Sequence, residues 1–144
     1  MNEQENTRLV QRVYQSIEAG DIQAPLNSFA EDVHWQLPEM ENVPFAGMWR
    51  GREGVRQFFS KVFELQDVVE FKPQEYIAQG DKVVVLGHFL MRIKATGKDF
   101  GSDWAHVWTL QGDKVTRFYE YVDTAVVSGA HTAGQTVAKT GQRK

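Results

Sequence analysis

An α+β domain is the architecture the 144-residue sequence predicts, and three observations predict it. Apart from one short strand, apolar residues up to residue 65 recur at helical spacing; from residue 68 onward they alternate. Turn signals at Gln79-Gly80-Asp81, Thr96-Gly97-Lys98 and Gly112-Asp113 cut the alternating half into four strands. No internal repeat is visible, and the length suits one domain. Helices grouped ahead of a strand meander imply helices covering one face of a mostly antiparallel, curved sheet.

Each element follows from its own signals. Leu9, Val10, Val13, Tyr14 and Ile17 share one face of a helix over residues 3–19, which Gly20 stops. Asp21 is placed to cap a second helix over about residues 21–31, with Ile22, Leu26, Phe29 and Ala30 on one side. Pro25 falls in its first turns, where a proline is tolerated. Asp32 then fixes the turn into a short strand, in which Val33, Trp35 and Leu37 alternate with His34 and Gln36 up to Pro38. An irregular loop precedes a third amphipathic helix, RGREGVRQFFSKVFEL, carrying Val55, Phe58, Phe59, Val62 and Phe63. The four strands follow at roughly 68–78, 82–94, 99–110 and 115–123, and Pro73 marks the first as an edge strand or a bulged one. Residues 1–127 are expected to form the domain, and 128–144, with His131, a polar tail.

Composition excludes several classes. The chain has no cysteine, which removes disulfides, thiolate metal sites and cysteine nucleophiles. A net charge of −3 without a Lys/Arg stripe argues against nucleic acid as a partner. No apolar run reaches the length of a membrane span and no signal-peptide core opens the chain, so the expected location is the cytoplasm. The four histidines show neither HxH nor HExxH spacing, and no glycine-rich phosphate loop or serine elbow occurs. Neither metal nor cofactor is therefore expected. Nine Phe and four Trp bury large areas and suit the walls of a small-molecule cavity, although filling the core accounts for most of them.

Four pieces of sequence, in order, carry a resemblance to a known family: EAGD after the first helix, FAEDVHWQLP, MWRGREGVRQFF, and WAHVWTLQGDKVTRFYEYVD. Together, over about residues 5–127, they resemble the nuclear transport factor 2-like superfamily, in its ketosteroid isomerase and SnoaL-like polyketide cyclase branch. The resemblance implies a cone-shaped roll, three N-terminal helices packed in a strongly curved, mostly antiparallel sheet around a deep cavity. It also implies a homodimer built through the convex sheet face. The same cone hosts isomerases, cyclases, dehydratases, epoxide hydrolases and non-catalytic binding modules, so fold alone does not select among them.

Carried over position by position, most of the family's chemistry is missing. The isomerase base, an aspartate before a proline, is Leu37 here; the oxyanion tyrosine falls at Val13, with Tyr14 beside it. The second oxyanion donor falls at His106. In the limonene-epoxide-hydrolase-like branch the last-strand aspartate would be Glu120, but the Arg-x-Asp pair would fall near His88 and Leu90, which do not preserve it. Polyketide-cyclase-like sequences match in texture at Ala105-His106-Val107, Asp113-Lys114-Val115 and Tyr121-Val122-Asp123.

His106 is the candidate acid/base, because an imidazole exchanges protons near neutral pH. Glu120, one strand away, is its candidate partner or a second base. Register decides whether they meet. A two-residue turn at Gly112-Asp113 would set His106 opposite Tyr119, and only a bulge would bring Glu120 there. Tyr14 is a candidate oxyanion donor, and Trp35, Phe59, Trp104 and Phe118 are the expected walls. Asp123 reads as a helix cap and His88 as a residue of the convex face. The expected activity is cofactor-independent proton transfer on an apolar carbonyl or cyclic substrate, by isomerisation, cyclisation or dehydration. The competing reading is a binding or assembly module of the same fold, which the loss of the isomerase aspartate at Leu37 supports.

Overall fold

The computed structural model describes residues 2–132. Helix α1 (Glu3–Glu18) begins at Asn2, whose Oδ1 accepts the Glu5 N–H at 2.8 Å. It ends where Gly20 takes a left-handed φ of 81° and the Asp21 N–H bonds back to the Ser16 carbonyl. Its stripe of Leu9, Val10, Val13 and Tyr14 is buried against the sheet.

The second helix is much shorter than its spacing predicts. Asp21 does cap it, accepting the Ala24 N–H at 3.1 Å, but α2 spans only Gln23–Leu26. Strand β1 (Phe29–Gln36) takes over the residues expected to finish it. Phe29 reads equally well as the last apolar residue of a helix and as the first of a strand. Pairing alongside Val115, with the Val115 N–H donating to the Ser28 carbonyl, decides for the strand. Asp32 accordingly lies exposed within β1 and fixes no helix end. A second short strand, β2 (Met48–Arg50), was not anticipated and pairs antiparallel with β1 just before α3 (Gly51–Leu65).

The meander forms β3 (Gln66–Gln79), β4 (Lys82–Ile93), β5 (Asp99–Gln111) and β6 (Lys114–Val122). The six strands lie in the order β2-β1-β6-β5-β4-β3, antiparallel except where β1 meets β6. Pro73 sits on the edge strand β3, directly before one of that strand's two register shifts. Helix α1 packs on β3 and β4, and α3 on β1, β2 and β3, so the helices cover one face of the curved sheet. Phe100, Ser102, Trp104, His106, Trp108 and Leu110 of β5 all point to that face. His88 points the other way, its Nδ1 3.0 Å from Asp103.

After β6, Asp123 caps a helical segment over residues 124–132, accepting the Val126 N–H at 3.2 Å. The expected tail therefore begins too early. His131 is buried, its ring packed edge-on against Phe45 and Phe100, and its Nε2 lies 3.1 Å from Gln66 Oε1. The remainder of the predicted tail, residues 133–144, lies outside the described residues. Among the described residues, no helix is long and apolar enough to cross a membrane.

Candidate functional site

Between the helices and the sheet lies a cavity of about 730 Å³. That is the size range of small-molecule and cofactor sites. Its lining is mostly apolar, with Trp35, Phe58, Phe59 and Phe118 among the walls. Trp35 and Phe118 stack at 3.8 Å between ring centroids, joining β1 to β6. The buried Trp35 Nε1–H has no hydrogen-bond partner among the described residues.

Several polar groups of the interior converge on the ring of His106. His106 Nδ1 lies 2.7 Å from the Tyr14 hydroxyl, which also accepts a hydrogen bond from Trp108 Nε1–H at 2.9 Å. On the opposite edge, His106 Nε2 lies 3.8 Å from Glu120 Oε1. That gap is longer than a hydrogen bond, yet short enough for one ligand atom to touch both groups. The two side chains are 7% and 14% exposed, so the pair is nearly enclosed but still borders the cavity.

Register explains how they meet. Gln111 pairs with Lys114 and Leu110 with Val115, as a two-residue turn dictates. Thr109 then pairs with Arg117, so Thr116 is an extra residue on β6. Its hydroxyl donates to the Thr109 carbonyl at 3.3 Å. Beyond this bulge His106 stands opposite Glu120, and Val107 opposite Tyr119. The bulge also turns the inward parity of β6 from Val115 to Phe118, Glu120 and Val122.

Burial dominates the ring's protonation. It lowers the His106 pKa below the ordinary value against the opposing pull of Glu120, leaving a neutral imidazole near neutral pH. Burial likewise holds the Tyr14 phenol well above its ordinary range, only partly offset by the Trp108 hydrogen bond. Tyr14 therefore stays a neutral hydroxyl.

Trp104 does not form a wall of the cavity. Its indole stacks on His106 at 3.9 Å and on Phe71 at 5.0 Å, behind the ring. It crosses over Gly87, where a Cβ would collide with Trp104 Cζ2 and the Lys72 carbonyl oxygen. The position needs glycine for that close approach. Three participants were not anticipated: Phe71, the Trp108 N–H, and Gln66, a buried amide on the cavity wall. Trp108 shares the parity of His106, which was a usable signal. Phe71 lies between the two register shifts of β3, which erase the alternation that would have placed it. Leu37, at the expected base position, is buried and lines the cavity. Among the described residues no cluster of three or more His, Cys, Asp or Glu could hold a metal ion.

Comparison with known proteins agrees with this geometry. The family model of the SnoaL-like domain matches residues 10–118. The chain belongs to the SnoaL-like domain family. A nuclear transport factor 2-like protein from Burkholderia xenovorans shares 33% identity over 91% of this chain and 98% of its own, with a TM-score of 0.83. TerC, co-crystallised with polyporic acid, shares 28% identity over 89% of this chain and 98% of its own, at a TM-score of 0.80. A candidate isomerase from Bacillus subtilis matches 92% of this chain and 96% of its own at 15% identity and a TM-score of 0.77, which speaks for the fold alone. No curated protein matches the chain. The SnoaL-like fold thus accounts for the helices packed against a curved six-stranded sheet.

Proposed function

We propose that this SnoaL-like protein is a cofactor-independent enzyme that moves a proton on a small, largely apolar carbonyl or cyclic substrate. The reading rests on the His106–Glu120 pair, 3.8 Å apart at the wall of an apolar cavity. A neutral imidazole that can hydrogen-bond a carbonyl oxygen, beside a carboxylate that can reach the neighbouring C–H, is the minimum for abstracting that proton and stabilising the enolate. His106 works through Nε2, the ring atom nearer Glu120, while Tyr14 holds Nδ1. Trp35, Phe59 and Phe118 hold the substrate's apolar body and exclude water.

The protein works in this proposal as a homodimer through the sheet face opposite the helices. Binding without chemistry is the second reading, favoured by Leu37 where isomerases carry their base. Deuterium exchange separates the two. Apolar cyclic ketones, with polyporic acid as a binding probe because TerC was crystallised with it, are first screened by quenching of tryptophan fluorescence. Ketones that bind are then incubated with the protein in D₂O and followed by NMR. Exchange at the carbon beside the carbonyl is expected, falling about 10²–10⁴-fold in Glu120→Gln and His106→Ala. Ketones that bind but never exchange would transfer the assignment to the binding module.

A further inference from the structure

We infer that Tyr14 is a positioning residue whose hydroxyl, its oxygen held by the Trp108 N–H, fixes the tautomer of His106. An indole N–H can only donate, so the bond from Trp108 Nε1 at 2.9 Å makes the Tyr14 oxygen an acceptor. The phenol has one hydrogen left to place. Its one other polar neighbour among the described residues is His106 Nδ1 at 2.7 Å. If Nδ1 carried the ring proton, it too would donate to the Tyr14 oxygen, and a buried O–H would be stranded without an acceptor. Only the Nε2–H tautomer satisfies all three groups, and a stranded buried donor is costly.

The consequence rests on the proposed function. With Nδ1 occupied by the Tyr14 hydrogen, the ring presents Nε2–H on the side of Glu120 and the cavity. His106 then hydrogen-bonds the carbonyl oxygen while it carries enolate charge, and keeps its own proton. Glu120 takes the proton from one carbon as the C–H electron pair forms the enolate double bond, and returns it at another, so charge and protons balance. Tyr14, whose single hydrogen is committed to His106, orients the ring and leaves oxyanion donation to Nε2–H. Stacking on Trp104 at 3.9 Å holds the plane of the ring.

The test reads the imidazole nitrogens by NMR of histidine-¹⁵N-labelled protein, with the His106 signals assigned by their loss in His106→Gln. Wild type at neutral pH is expected to show a pyrrole-like Nε2 and a pyridine-like Nδ1. A pyrrole-like Nδ1 in wild type overturns the inference by itself, whatever the variants do. Tyr14→Phe, which removes the hydroxyl that donates to Nδ1, is expected to move the tautomer ratio toward Nδ1–H about fivefold, as loss of one ordinary hydrogen bond implies. An unmoved ratio in a folded Tyr14→Phe protein would remove Tyr14 from the role. Where Tyr14→Phe does not fold, the nitrogen signals of wild type decide alone. Because no substrate enters this measurement, its failure is separate from failure of deuterium exchange.

Discussion

His106 sits in an environment that favours its neutral form, and that choice has a thermodynamic signature. Burial depresses its folded pKa, and Glu120 only partly offsets the effect. The unfolded chain returns the ring to about 6.5, so between the depressed value and about 6.5 the unfolded state holds more protons. Stability therefore falls as pH drops through that window and is unaffected by this ring above it. His131 is shifted in the same direction by burial and adds to the slope. Urea midpoints measured from about pH 7.5 down to about pH 5.5 are expected to decline, and less steeply in His106→Gln than in wild type. Equal slopes in the two proteins would mean that the ring is not held neutral. Tyr14 adds nothing in this range, since its phenol is raised well above its ordinary value and remains protonated in both states.

At the scale of elements, the single extra residue Thr116 decides which side chains of β6 reach the cavity. With Thr116 present but no bulge, His106 would face Tyr119, and Glu120 and Phe118 would turn outward. Deleting Thr116 instead closes a regular ladder in which Arg117 stays opposite Thr109, Phe118 opposite Trp108 and Glu120 opposite His106. The Thr116 deletion is therefore expected to keep the Trp35–Phe118 stack, a urea midpoint close to that of wild type, and ligand-dependent fluorescence quenching. Loss of quenching in a folded deletion variant would mean that the local twist of the bulge, and not the pairing alone, shapes the cavity. This residue also marks where the sequence stops being legible. Alternation along Trp104, His106 and Trp108 sets the face of β5, because side chains on a strand must alternate. A bulge leaves no comparable trace, since Thr116 differs in no obvious way from an ordinary strand residue. The same limit explains α2, where Leu26, Phe29 and Ala30 fit a helical face but pairing beside β6 makes Phe29 a strand residue. His131 was misplaced for a related reason. Its polar, small-residue surroundings in sequence conceal a contact with Phe45 and Gln66 that exists only once the helical segment folds back.

For the whole molecule, the proposed dimer makes a claim about the sheet face turned away from the helices. Val84, Leu86, Ala105, Val107 and Tyr119 lie there half-buried, and Tyr121 is 57% exposed. Register sets Val107 beside Val84 and Tyr119, and Ala105 beside Leu86 and Tyr121, so they form one continuous patch across three strands. Polar pairs, Arg92 with Asp99 and His88 with Asp103, flank it. An apolar centre with a polar rim is the composition of an interface between copies. Val107→Glu puts a charge at its centre without entering the interior, because Val107 points away from the cavity. Sedimentation velocity is expected to give a dimer for wild type and a monomer for Val107→Glu, with far-UV circular dichroism unchanged. A wild-type monomer at every accessible concentration would remove the dimer from the proposal. The cavity would be untouched by that result, since the residues that line it and the residues of the patch alternate along the same strands and never share a side chain.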